Sequence, residues 1–154
     1  MSVPPFQAFL DEHREVVYRF LVASVGPQEA DDCFQETFLS ALRAYRRLRD
    51  GSNLRSWVLT IAHRKAIDAH RARHWAPLPS QGIPETPAPE AGNTDPEVWR
   101  RVRALPPGQR AAVFLRFVGD LPYREVAGIT GTTEEAARQS VRAGLATLRK
   151  ELTR

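Results

Sequence analysis

The chain has 154 residues, enough for one ordinary domain or two small ones, and its 42% apolar and 26% charged residues are those of a soluble globular protein. No apolar run approaches a membrane span, and the start, MSVPPFQAFLDEHREVV, lacks the basic and apolar stretches of a signal peptide. The single cysteine, Cys33, excludes an intramolecular disulfide, so a cytoplasmic address is expected.

Apolar spacing predicts a first helix from Phe6 to about Ser24. Phe9, Leu10, His13, Val16, Val17, Phe20 and Leu21 form its buried stripe, and Gly26-Pro27 breaks it. A second helix is expected from about Gln28 to Arg47, with Phe34, Phe38, Ala41, Leu42 and Tyr45 as its core face. Asp31, Asp32, Gln35 and Glu36 cluster in its first two turns, and Leu39 continues that face. Acids near a helix N-terminus favour its dipole, but Gln35, Glu36 and Leu39 are not needed for that. An acidic, partly apolar patch repels nucleic acid and suits a protein partner.

Asp50-Gly51-Ser52 reads as a turn, with Ser52 or Asn53 as N-cap of a third helix. Residues 53–74, NLRSWVLTIAHRKAIDAHRARH, place Leu54, Trp57, Val58, Ile61 and Ala62 on one apolar stripe. The remaining surface carries Arg55, Arg64, Lys65, Arg71 and Arg73 against the single acid Asp68, which suits a polyanion lying along it. His63, Ile67, His70 and His74 share a face of this helix. The neighbouring Arg71 and Arg73, and the lack of acidic or Cys ligands, argue against a metal site.

Residues 76–96 contain six prolines and no aromatic residue, the composition of a linker. The expected organisation is a helical domain 1–75, a Pro-rich linker 76–95 and a second helical domain 96–154. Charge follows the same division. Residues 38–75 hold nine bases and two acids, residues 76–97 four acids and no base, and residues 98–154 eleven bases and five acids. Two basic blocks separated by an acidic connector suggest two nucleic-acid-facing surfaces.

In the second block, Asp95-Pro96 opens a short helix running to Ala104. Gly108 to Val118 forms the next, with Val113, Phe114 and Phe117 apolar, and Pro122 to Ile129 a third, with Tyr123, Val126 and Ala127 inward. Gly131 turns the chain, and Thr132 with Glu135 reads as a capping box for the last helix. That helix is expected to bury Ala137, Val141, Leu145 and Leu148. A short helix, a glycine turn and a longer capped helix make a helix-turn-helix. Glu135, Arg138, Gln139 and Arg142 lie opposite the core stripe, and Arg and Gln have the donor geometry to read guanine and adenine edges. The predicted fold is therefore all-α. No phosphate-loop, nucleophile-elbow or zinc-protease motif occurs, so neither an enzyme active site nor a cofactor is expected.

Three segments in series resemble the extracytoplasmic-function (ECF) sigma factors of bacterial RNA polymerase. DDCFQETFLSALRAYRRL is similar to the family's D-x-x-Q-E-x-F-x-x-A pattern. WVLTIAHRKAID is similar to its W-L-x-x-I-A-x-N-x-x-x-D segment, and LPPGQRAAVFLRFVGDLPYREVA to the start of its promoter-binding C-terminal domain. The resemblance implies an initiation factor that binds core RNA polymerase, directs it to promoter DNA and helps open the minus-10 element, while the polymerase supplies the chemistry. It implies that Asp32, Gln35, Glu36 and Leu39 grip the beta-prime clamp helices. Asn53, Arg55, Trp57, Arg64, Lys65, Arg71 and Arg73 would face minus-10 DNA. Thr133, Glu135, Arg138, Gln139 and Arg142 would face the minus-35 element. An anti-sigma factor is a further implied partner.

Two departures stand out. Arg64 occupies the family's usual Asn position, and Ser140 and Ala143 replace two usual arginines of the last helix, with Arg142 shifted by one. Two other readings remain at this point. A stand-alone helix-turn-helix regulator would not join polymerase, and an RNA-binding adaptor would show no promoter selectivity.

Overall fold

The computed structural model describes residues 3–49, 53–75 and 96–152. The expected turn at Asp50-Gly51-Ser52 and the expected linker 76–95 lie outside them. The chain divides into two compact units, Met1–Pro89 and Glu90–Arg154. The described residues form seven helices and no strand: α1 (Phe6–Val25), α2 (Pro27–Tyr45), α3 (Leu54–Trp75), α4 (Pro96–Arg103), α5 (Pro107–Phe117), α6 (Tyr123–Thr130) and α7 (Glu134–Leu152).

In the first unit, α1, α2 and α3 each pack on the other two. α1 buries Phe9, His13, Val17, Phe20 and Leu21 as its spacing requires, while Leu10 and Val16 are half-buried. The core face of α2 differs from expectation. It consists of Ala30, Cys33, Thr37, Phe38 and Ala41, mostly small residues that let the neighbouring helices approach. Leu42 is 51% exposed, because it lies about 100° around the helix from that stripe. Thr37 is fully buried and donates its hydroxyl to the Cys33 carbonyl at 2.7 Å, so no polar atom is stranded. Cys33 itself is buried, its sulfur 3.9 Å from the Lys65 carbonyl of α3.

The core face of α3 is also displaced, by roughly a quarter turn. Ser56, Val58, Leu59, Ala62 and Ala66 are buried, whereas Leu54, Trp57 and Ile61 are only half-buried. Wedged between α1 and α2, the helix turns its small-residue side inward. Trp57 stays at the seam, its ring 5.7 Å from Phe9 and 6.3 Å from Tyr45. The Tyr45 hydroxyl donates to the Pro4 carbonyl, tying the chain's start to the end of α2.

His13 is 4% exposed, and its Nδ1 has no hydrogen-bond partner among the described residues. Burial lowers its pKa, helped by nearby Arg55 and opposed by Glu12. His63, packed against Phe20, is lowered by burial as well. The folded chain thus resists protonation at both sites, while the unfolded chain binds protons below the ordinary value of 6.5. Stability is complete above that value and is lost as pH falls through the lowered folded pKa values. We expect thermal melts to shift downward from pH 8 to pH 5.5. His13→Leu should melt no lower than wild type at pH 8 and show a shallower loss on acidification; an unchanged slope would remove His13 from the account.

The second unit is built on α5, α6 and α7, with α4 laid against α7. α5 buries Ala111 to Leu115, while Phe117, in its last turn, is 57% exposed. Val102, Leu105, Val113 and Leu148 form a cluster joined by Val98. α7 buries Ala137, Val141 and Leu148, with Leu145 half-buried. Gly144 faces α5 so closely that a Cβ there would lie 2.7 Å from the Val113 Cγ2. Arg101 anchors α4 by bonding Glu97 at 3.1 Å and Glu151 of α7 at 2.9 Å.

Candidate nucleic-acid and partner interfaces

On α2, Asp32, Gln35, Glu36 and Leu39 are all exposed, as the sequence implies. Leu42 adds to this face, since Gln35, Leu39 and Leu42 follow at i, i+4 and i+7. Leu39 at 47% and Leu42 at 51% are two of the three large apolar side chains exposed among the described residues. Asp31 is occupied differently: it interacts with Tyr18, whose pKa burial raises first and Asp31 second. The patch is therefore a pair of leucines beside Asp32 and Glu36, a composition suited to a partner with a groove and basic residues. Sequence reasoning put Leu42 in the core because its apolar character was read without its angular position.

On α3, Asn53 is the N-cap, its Oδ1 accepting the Ser56 N–H at 3.2 Å. Asn53 is exposed, but that oxygen is committed to the backbone. Trp57, Arg64 and Arg71 follow at i, i+7 and i+14, hence on one row; both arginines are exposed. Lys65 is half-buried and flanks the row. Arg55 does not join it: about 160° away, it is near enough to His13 to act on its charge. The side chain of Arg73 lies outside the described residues, as does that of His74. The His70 Nε2 lies 3.0 Å from the Ser24 carbonyl, so this ring ties α3 to the end of α1. Among the described residues no group of three His, Cys, Asp or Glu is placed to hold a metal.

The helix-turn-helix is formed by α6, Gly131 and α7. Gly131 has φ 71, a left-handed conformation that costs glycine little, and its N–H bonds the Ala127 carbonyl. The cap of α7 differs from expectation by one residue. Thr133, not Thr132, accepts the Ala136 N–H at 3.0 Å, so Glu135 is not the partner in a capping box. Of the two threonines, the later one lies directly before the first helical residue, Glu134. The Thr133 hydroxyl is thus engaged with the backbone. Glu135, Arg138, Gln139 and Arg142 are exposed along the outer face of α7. Arg138 bonds Glu134 at 2.7 Å, lies 3.9 Å from Glu135, and stands over the Tyr123 ring at 5.4 Å. Arg116 stands 5.0 Å from the same ring centroid. Sequence reasoning missed Glu134, although its i,i+4 spacing to Arg138 was the available signal.

The arrangement combines an acidic-apolar face and a basic row in one unit with an exposed helix-turn-helix in the other. Comparison with known proteins explains the combination. The Sigma-70 region 2 family matches residues 9–76 and the Sigma-70, region 4 family matches residues 96–148. RNA polymerase sigma factor CarQ of Myxococcus xanthus is 32% identical, over 96% of this chain and 88% of its own. ECF RNA polymerase sigma factor SigX of Bacillus subtilis is 25% identical, over 96% of this chain and 83% of its own. The chain belongs to the ECF sigma factors. This sigma factor also shares its fold with the sigma factor RpoE of Bartonella quintana, solved in complex with the anti-sigma factor NepR. That similarity has a TM-score of 0.82 at 22% identity and covers 96% of each chain. As a sigma factor, the protein is a polymerase-binding, promoter-specific initiation factor, and a stand-alone regulator is not favoured.

Proposed function

We propose a division of labour along the chain, with residues 1–75 engaging polymerase and the minus-10 element, residues 96–154 engaging the minus-35 element, and residues 76–95 connecting them. The observation that carries it is the exposed Leu39–Leu42 pair bordered by Asp32 and Glu36. Those leucines leave apolar surface in water that a partner helix would cover, and the carboxylates repel DNA. The proposed partner is the beta-prime clamp of core polymerase, in the cytoplasm. An anti-sigma factor is a second proposed partner, and covering this face would keep polymerase away. A run-off transcription assay with purified core polymerase tests the reading. Promoter-dependent transcripts support it, and their absence from every promoter of a randomised library overturns it.

Strand opening falls to the α3 row. The uncovered edge of Trp57 heads it, and Arg64 and Arg71 follow as cations for single-stranded phosphates. Flipping a base costs a few kcal/mol, which such contacts offset. Arg64, in place of the family's usual Asn, is assigned to phosphate or stacking contact with the non-template strand. Arg64→Ala is expected to slow open-complex formation more than it weakens polymerase binding. Permanganate footprinting should show lower thymine reactivity in the minus-10 region at equal promoter occupancy. Unchanged reactivity would return Arg64 to the solvated surface. On α7, Arg138, Gln139 and Arg142 are assigned to the minus-35 major groove, with Glu135 at its edge. Thr133 caps α7 through its hydroxyl oxygen, and its O–H is left to donate to the minus-35 element.

A further inference from the structure

Arg138 is the base-reading candidate with the most local contacts. Its guanidinium lies in a cleft between the starts of α6 and α7, lined by Arg116, Asp120, Tyr123, Arg124 and Glu134. Two guanidinium groups share the Tyr123 ring, with Cζ atoms 5.0 Å (Arg116) and 5.4 Å (Arg138) from its centroid. Both distances are within the range of cation–π attraction, about 6 Å. Two like charges at one ring repel, and the Glu134 carboxylate, 2.7 Å from Arg138 Nη2, offsets that repulsion.

We propose that Glu134 is a positioning residue for sequence reading, which, with the Tyr123 ring, holds Arg138 in one orientation before DNA arrives. The inference rests on the reading that α7 enters the minus-35 major groove.

The physical argument concerns order rather than stability. Exposed i,i+4 ion pairs stabilise a helix only slightly. A free arginine, however, carries rotamer entropy that a base contact must overcome. A guanidinium already held at its face and at one nitrogen has lost part of that freedom. Arginine has five N–H donors, so a bond from Nη2 to Glu134 leaves donors for a base edge. A guanine offers O6 and N7 together, and only a correctly aimed guanidinium reaches both. Glu134 thereby favours one base over the others at the position facing Arg138. Its negative charge also weakens attraction to phosphates without regard to sequence.

The competing account is that Glu134, the first residue of α7, only complements the helix dipole. That role is independent of Arg138, and a double-mutant cycle separates the two. The full chain is assembled with core polymerase and allowed to select from promoters randomised in the minus-35 element. Bound DNA is then sequenced for wild type, Glu134→Ala, Glu134→Gln, Arg138→Ala and the Glu134→Ala/Arg138→Ala double variant. Glu134→Ala should reduce base preference at one or two positions by about twofold, the bias that an exposed i,i+4 ion pair supplies. Total binding to the pool should stay equal or rise. Glu134→Gln keeps an acceptor oxygen and should retain most of the preference. In the Arg138→Ala background, Glu134→Ala should change nothing further at those positions. Undiminished preference in Glu134→Ala, or an equal loss with and without Arg138, overturns the positioning role while leaving α7 as the promoter reader. Absence of any minus-35 preference in wild type overturns that reading and the inference with it. Circular dichroism should show the variants folded, since exposed changes of this kind have little effect on stability.

Discussion

Leu39→Asp combined with Leu42→Asp is expected to abolish assembly with core polymerase. Both side chains are about half exposed on one face of α2, at 47% and 51%. Burying a leucine is worth about 1.5–3 kcal/mol. Since about half of each is already covered in the free chain, the two together correspond to about 1.5–3 kcal/mol, or roughly one to two orders of magnitude in affinity. Replacing them by carboxylates beside Asp32 and Glu36 adds the cost of desolvating unpaired charge. The helix should persist, because neither leucine contributes to the buried stripe of Ala30, Cys33, Thr37, Phe38 and Ala41. Native gel shift with core polymerase, alongside far-ultraviolet circular dichroism, measures both quantities. Normal assembly by a folded double variant would move the polymerase contact off α2.

The second large effect is expected at Gly144. A Cβ there would meet Val113 Cγ2 at 2.7 Å, and Val113 is itself buried in the cluster with Val102, Leu105 and Leu148. β-Branched Val113 has little rotamer freedom with which to yield. Gly144→Leu adds a whole branched chain where not even a methyl fits. Overpacking a core usually costs about 1–3 kcal/mol and occasionally more. A unit of 90–154 is small, so its stability margin is thin. Calorimetry should show the loss of the second unit's contribution to unfolding, and promoter selectivity should vanish while polymerase binding through α2 remains. Gly128→Leu is the control, since nothing lies within 4 Å of a Cβ at that exposed position of α6. A Gly144→Leu variant as stable as Gly128→Leu would mean that the gain in helix propensity, not the α5–α7 contact, governs stability there.

Much of this was legible because helices advertise themselves through period and punctuation. The buried face of α1, the break at Gly26, the Asn53 cap and the left-handed Gly131 all follow from residue type and spacing. The departures in the core faces of α2 and α3 share one cause. Periodicity says that a helix has an apolar side, but its centre depends on what packs there. α2 presents small residues to its neighbours, and so Leu42 is left outside. α3 is flanked on two sides, and so Leu59 and Ala66 enter the core while Trp57 stays at the seam. Thr132 and Thr133 are chemically identical in sequence, and only the path after Gly131 decides which one caps α7. Arg138 could be named from its position on the helix. Its engagement with Tyr123 could not, because that contact joins two helices.

The placement of Cys33 bears on chemical vulnerability. The thiol is buried beside the Lys65 carbonyl, and burial, followed by Glu29 and the other acids around it, pushes its pKa upward. Only the thiolate reacts readily with electrophiles and oxidants, so this sulfur is shielded twice, by access and by protonation. The folded chain therefore protects this thiol under oxidant or alkylating exposure that consumes accessible thiols elsewhere.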